Sequence, residues 1–205
     1  DADGNYPNMT FYPNILEYID TFDFHQQNNR TIGDLQINLK PTDDLKINYI
    51  LGYDNAESIG STYVPIGTNT VLLGSASTST ISTKQLNSDL NASFDKRIGE
   101  NIKSTTTAGF TWQSDETLLS AISGTGLALG VKTTNGAASI STNENRSERT
   151  FWGGFLQQTF GLSNKLFITG AIRLDGSSVF GADERNQFYP KASMSYLISE
   201  EDFWK

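Results

Sequence analysis

Five ionisable side chains crowd one stretch near the end of the chain: Arg173, Asp175, Asp183, Glu184 and Arg185. Carboxylates so placed can hold a hard cation such as calcium, or they can pair with the guanidinium groups beside them. Flexible glycines separate them, and their spacing follows no defined calcium loop such as that of the EF-hand. Ion pairing that holds a polar loop at the rim of a wet surface is therefore the expected chemistry. Gly176 and Gly181 serve turn geometry in this reading, since no helix start follows to present N–H groups to a phosphate.

The rest of the chain offers little for covalent chemistry. His25 is the single histidine, cysteine is absent, and the nearest acids to His25 are Asp20 and Asp23. A metal centre needs three or four convergent ligands, which this neighbourhood does not supply. One histidine ahead of the first strand gives a serine–histidine–aspartate triad no support either. No catalytic residue, metal site or cofactor is expected, and the chain is not expected to be an enzyme.

The elements that position the charged loop read as strands. From Leu166, the residues Leu166, Ile168, Gly170, Ile172 and Leu174 fall on one side, and Phe167, Thr169, Ala171, Arg173 and Asp175 on the other, because successive side chains of a strand point to opposite faces. The chain returns with Ala192, Met194, Tyr196 and Ile198 opposite Ser193, Ser195 and Leu197. One face is greasy and the other mostly polar.

The same alternation starts near Asn29, breaks at Lys40-Pro41-Thr42-Asp43-Asp44, and resumes with Leu45, Ile47, Tyr49, Leu51 and Tyr53 against Lys46, Asn48, Ile50, Gly52 and Asp54. Proline lacks an N–H and aspartate favours turns, so this is a hairpin. A second hairpin carries Leu86, Leu90 and Phe94 opposite Asn87, Asp89 and Asn91, and returns through Ala108, Phe110 and Trp112. A third hairpin begins at about Glu148 and turns through 161–165; its first strand, Arg149 to Phe160, is apolar on both faces around Trp152 and Phe155. Residues 1–24 read as a loop arriving at the first strand.

Connections alternate in length: short at 40–44, 95–101, 161–165 and 199–202, long at 55–83, 113–147 and 175–188. Long loops gathered at one end of an up-and-down sheet, with tight turns at the other, are the pattern of outer-membrane barrels. The expected fold is all-β, a seven-strand segment of an antiparallel up-and-down transmembrane barrel. Seven strands are too few to leave a usable pore, so closure is expected to need further strands. Tyr49, Tyr53, Phe94, Phe110, Trp112, Phe160, Phe188, Tyr189 and Tyr196 are expected to form aromatic girdles at the membrane boundaries.

Composition is compatible with this. The net charge of −8 argues against nucleic acid, which selects for basic patches. No apolar run approaches the roughly 20 residues of a membrane helix, but barrel strands bury only alternate residues in lipid. The abrupt ends at Asp1 and Lys205 suggest a fragment of something longer.

One run of residues carries a resemblance. Arg173-Leu174-Asp175-Gly176-Ser177-Ser178-Val179-Phe180-Gly181, then Arg185, then Phe188-Tyr189-Pro190-Lys191-Ala192-Ser193, then Ile198-Ser199-Glu200-Glu201-Asp202-Phe203 resembles the R-x-D-G-S-S-x-F-G … R … F-P-x-x-S … I-S-x-E-x-F run of SusC/RagA-type TonB-linked outer-membrane transporters. Tyr189 stands where that family usually has Phe. Pro13-Asn14-Ile15-Leu16 also resembles the family's N-P-x-x-L element, with Pro and Asn exchanged. The resemblance implies that residues 1–205 are part of a TonB-dependent barrel domain whose plug domain lies elsewhere. It implies import of oligosaccharides or peptides across the outer membrane of a Bacteroidota-type bacterium, a SusD-like surface lipoprotein over the mouth, and coupling to TonB–ExbB–ExbD. The motif residues Arg173, Asp175, Gly176, Ser177, Ser178, Phe180, Gly181, Arg185 and Pro190 are expected to be structural.

Two rivals use the same strands differently. A soluble β-sandwich adhesin or glycan-binding module would keep the alternation and bury the apolar face against a second sheet. A secreted β-rich hydrolase would need a carboxylate pair, and the chain shows only scattered ones.

Overall fold

The alternation on either side of Lys40–Asp44 becomes a hairpin. A computed structural model, which describes residues 6, 14–181 and 185–204, places β1 over Asp23–Leu39 and β2 over Leu45–Val64. At the bend, the Leu45 N–H donates to the Thr42 hydroxyl at 3.1 Å and Lys40 pairs with Asp43 at 2.9 Å. The remaining strands are β3 (Ser75–Ile98), β4 (Ile102–Leu127), β5 (Ala137–Leu162), β6 (Leu166–Ser177) and β7 (Asn186–Tyr196). They form one sheet in chain order, β1 to β7, an antiparallel meander whose edges are β1 and β7.

The strands outrun the sequence reading. The connections expected at 55–83, 113–147 and 175–188 shrink to 65–74, 128–136 and 178–185. Their Ser, Thr, Asn and Gly residues pair as strands without an apolar face. A ladder of short polar residues satisfies its backbone without any alternation to betray it. At the other end, β7 stops at Tyr196, and Ile198–Glu200 forms a 3-10 turn instead of continuing the strand.

The chain divides into two compact units. The first comprises Asp1–Thr31, Asn55–Thr83 and Glu116–Ser147. It holds an element that sequence reading treats as loop, helix α1 (Ile15–Thr21), capped by the Asn14 side chain on the Leu16 N–H at 3.0 Å. Asn14 followed by Glu17 is the spacing of a capping box, the signal that would have found it. Glu17 is only 4% exposed, and its Oε1 accepts the Asn69 N–H at 2.8 Å. Val64, Ala76 and Leu127 are the buried apolar side chains among the described residues, and all belong to this unit.

The second unit comprises Ile32–Asp54, Lys84–Asp115 and Glu148–Lys205. Its β5–β6 turn has Ser163 and Asn164 at φ 49° and 57°, with the Lys165 N–H donating to the Leu162 carbonyl at 2.9 Å. Left-handed residues at both central positions of the Leu162–Lys165 turn match the twist of the flanking strands. Leu162 pairs with Leu166 and Trp152 with Gly176 across β5–β6, while Leu166 pairs with Tyr196 and Gly176 with Asn186 across β6–β7. This register assigns the faces that the sequence left open. Trp152, Leu156 and Phe160 share a side with Leu174, Ile172, Ile168, Phe188 and Met194. Phe155 lies on the other side with Arg173 and Tyr189. Tyr189 therefore sits on the polar face, not in the apolar girdle expected of it.

Candidate functional site

The polar face of the second unit is built from short side chains that bond across strands. Thr111 Oγ1 donates to Asp89 Oδ1 at 2.7 Å, and Thr105 Oγ1 to Asp95 Oδ1 at 2.6 Å. The hydroxyls of Thr159 and Thr169, which are registered partners, meet at 2.9 Å. Asn48 donates its amide to Asn38. Cross-strand pairs of this kind fix the register as well as wetting the wall.

A cavity of about 330 Å³ opens on this face beside the charged motif, lined by Thr111, Gln113, Phe151, Arg173, Gln187 and Tyr189 among others. Arg173 Nε donates to Asp175 Oδ2 at 2.8 Å. Oδ1 of the same carboxylate lies at ion-pair distance, 2.8 Å, yet is buried without a hydrogen bond, because a single N–H aims at one oxygen. Gly153 makes room for the pair: it is the registered partner of Asp175, and a Cβ there would run into Asp175 Oδ1 and Arg173 Nη2. Beside them, the Tyr189 hydroxyl donates to Gln187 Oε1, and Gln113 Nε2 donates to both oxygens of Asp115 at 2.9 and 3.1 Å.

The other motif residues hold the strand end in place. Ser178 clasps Thr150 twice: its N–H donates to the Thr150 carbonyl and its Oγ accepts the Thr150 N–H, both at 2.9 Å. Ser177 is buried; its N–H reaches the Arg185 carbonyl at 3.3 Å and its Oγ accepts the Val179 N–H at 3.3 Å. Gly176 lies under the Trp152 indole, whose atoms a Cβ would strike. Phe180 is partly exposed at the cavity, and Gly181 has open space around it. Pro190 pairs with Ile172 on the apolar face. Asp183, Glu184 and Pro13 lie outside the described residues, and His25 sits exposed on β1. Among the described residues no cluster of three or more His, Cys, Asp or Glu is placed to hold a metal ion.

The opposite face is apolar and open. Met194 is 73% exposed, and Ile168, Ile172, Phe188 and Phe160 are exposed beside it. Gln158 shares this face, and its amide is tied down: Oε1 accepts from Thr106 at 2.6 Å and Nε2 donates to Ser104 at 2.9 Å. Among the described residues no second layer covers these side chains; the seven strands make a single sheet.

Comparison with known proteins agrees with this architecture. A family model described as TonB dependent receptor-like, beta-barrel, matches residues 1–203. A curated relative, TonB-dependent receptor P26 of Formosa agariphila, is 30% identical over 135 residues, covering 63% of this chain and 14% of the relative. The solved RagAB peptide transporter superposes with a TM-score of 0.84 at 14% identity, over 92% of this chain and 22% of that one. The RagAB peptide importer in its open-open state gives a TM-score of 0.80 at 15% identity, over 96% and 23%. The chain thus spans a small part of each protein it matches.

Proposed function

The chain belongs to the TonB dependent receptor-like β-barrel family, and on that premise we propose that it forms part of the wall of a SusC-type importer that carries oligosaccharides or peptides across the outer membrane. The observation that carries this reading is the two-faced sheet. In the second unit, large apolar side chains stand exposed on one side while hydroxyls, amides and ion pairs bond to one another on the other. A soluble domain of 205 residues would bury a sizeable core. Here the buried apolar side chains of the described residues are Val64, Ala76 and Leu127. The exposed apolar face is a lipid-contacting surface, and the polar face lines a water-filled lumen. Among the described residues the soluble sandwich finds no second sheet to seal its core.

In this reading the wall supplies surface, not covalent chemistry. A SusD-like surface lipoprotein covers the mouth, and TonB–ExbB–ExbD supplies energy through segments outside these residues. The motif residues Gly176, Ser177 and Ser178 act structurally, holding the end of β6 to β5. The test uses the full-length receptor in its native membrane. Cysteines replacing Ile172 and Met194 should react with a lipid-soluble maleimide and resist a water-soluble one, and one replacing Thr169 should do the reverse. Deleting the gene should abolish uptake of the cargo. Equal labelling of both faces by the water-soluble reagent would remove the lipid assignment, and unchanged uptake would remove the importer.

A further inference from the structure

We propose that the cavity beside Arg173 is a cargo subsite for an oxyanion, a carboxylate or sulfate group presented to the guanidinium edge. The inference rests on the importer reading, since it takes the polar face to be the lumen wall. Asp175 engages Arg173 through Nε alone. Among the described residues no group takes an N–H from the two terminal nitrogens, and the arginine side chain is half exposed in the cavity wall. A guanidinium held along one edge keeps its other edge in a fixed plane, the geometry that receives two oxygens of one anion in parallel hydrogen bonds.

The neighbours agree with an acceptor-rich ligand. Gln187, which lines the cavity, gives its Oε1 to the Tyr189 hydroxyl, and its amide nitrogen serves as a second donor. Two carboxylates beside the cavity lining are committed elsewhere on the same face. Asp89 takes the Thr111 hydroxyl, and Asp115 takes the Gln113 amide with Arg149 at 3.8 Å. Phe151 and Phe180 give the cavity apolar walls on which the body of a sugar or peptide unit can rest. Asp175 is a positioning residue: it fixes the guanidinium and touches no ligand.

Such an oxyanion has two sources, an acidic sugar or a peptide C-terminus, and paired probes separate them. The full-length receptor in detergent is titrated with trigalacturonate and its methyl ester, and with N-acetyl-trialanine and its C-terminal amide. At least one acid form should bind about tenfold more tightly than its neutral partner. Arg173→Gln should reduce that preference to about twofold or less. Gln187→Leu should lower it about threefold, and serves if Arg173→Gln fails to assemble. The proposal is overturned if neither acid form is preferred, if no probe binds, or if the preference survives both substitutions. The importer reading fails separately, if the preferred acid binds as expected yet enters cells lacking the receptor at the normal rate.

Discussion

The Trp152 indole lies on the backbone of Gly176, its registered partner across β5 and β6, so closely that any Cβ at 176 would meet the ring. The same relation recurs on the polar face, where the Phe155 ring fills the place of a side chain at Gly109. An aromatic ring laid over a strand glycine shields the bare backbone and pins the register. Gly176→Ala should therefore displace the indole and cost about 1–3 kcal/mol, read as a lower denaturant midpoint for the barrel folded in lipid vesicles. A midpoint within the error of wild type would mean that the ring moves freely.

Gly153 plays a parallel part beneath the ion pair. Gly153→Ala should push Arg173 and Asp175 out of alignment while the strands stay paired. The expected readout is a weakened preference of the full-length receptor for acidic over neutral probes, with barrel mobility on unheated gels unchanged. If the preference is undiminished, the pair does not depend on the space at 153.

The two faces differ in what they tolerate. Ile172→Arg, on the apolar side, should cost about 2–4 kcal/mol of folding into lipid if it lies near the midplane. Ala171→Arg, one residue away on the polar side, should stay within about 0.5 kcal/mol. Similar losses at both positions would contradict the assignment of lipid and lumen faces.

The clasp between Ser178 and Thr150 makes a local prediction. Ser178→Ala leaves the Thr150 N–H without its 2.9 Å partner and should cost about 0.5–1.5 kcal/mol. The loss should show as faster proteolysis of the segment from Val179 to Arg185, with the strands themselves still protected. Proteolysis at the wild-type rate would reduce the clasp to an incidental contact.

At the tight-turn end, Glu201 accepts the Tyr196 hydroxyl at 2.7 Å and pairs with Lys165 at 3.2 Å. The Tyr196 hydrogen bond first, and then the Lys165 bond, hold its carboxyl below the usual glutamate range. A depressed carboxylate stabilises the fold fully above its unfolded pKa, about 4.3 for glutamate, and that contribution disappears as pH falls through the lower folded value. Wild type should thus be more stable than Glu201→Gln at neutral pH, with the difference closing below about pH 4. A difference that stays constant into acid would mean that Glu201 acts as a neutral acceptor.

How far the sequence reaches depends on which face a residue serves. The strands around Leu45–Tyr53 and Leu166–Leu174 were legible because lipid on one side forces every second residue to be apolar, and that period survives in one dimension. The halves of β2 to β5 rich in Ser, Thr and Asn were not, since short polar residues at most positions carry no such period. Helix α1 hid for a related reason: Ile15, Leu16 and Ile19 lie largely exposed, so no buried stripe announces it, and only the Asn14 cap does.

The motif was legible as a string of residues, but its arrangement was not. Arg173 and Asp175 are two apart on one strand and share a face by periodicity alone. That Gly153 opens the space beneath them, that Trp152 covers Gly176, and that Ser178 reaches Thr150 all depend on which residue of β5 faces which of β6. A shift of one residue moves every side chain to the other face, and composition does not specify that shift. By itself the sequence determined the alternation, the turns and the two surfaces. The tertiary structure decided the register, and with it which side chains meet, because hydrogen bonds between strands join residues that the chain keeps far apart.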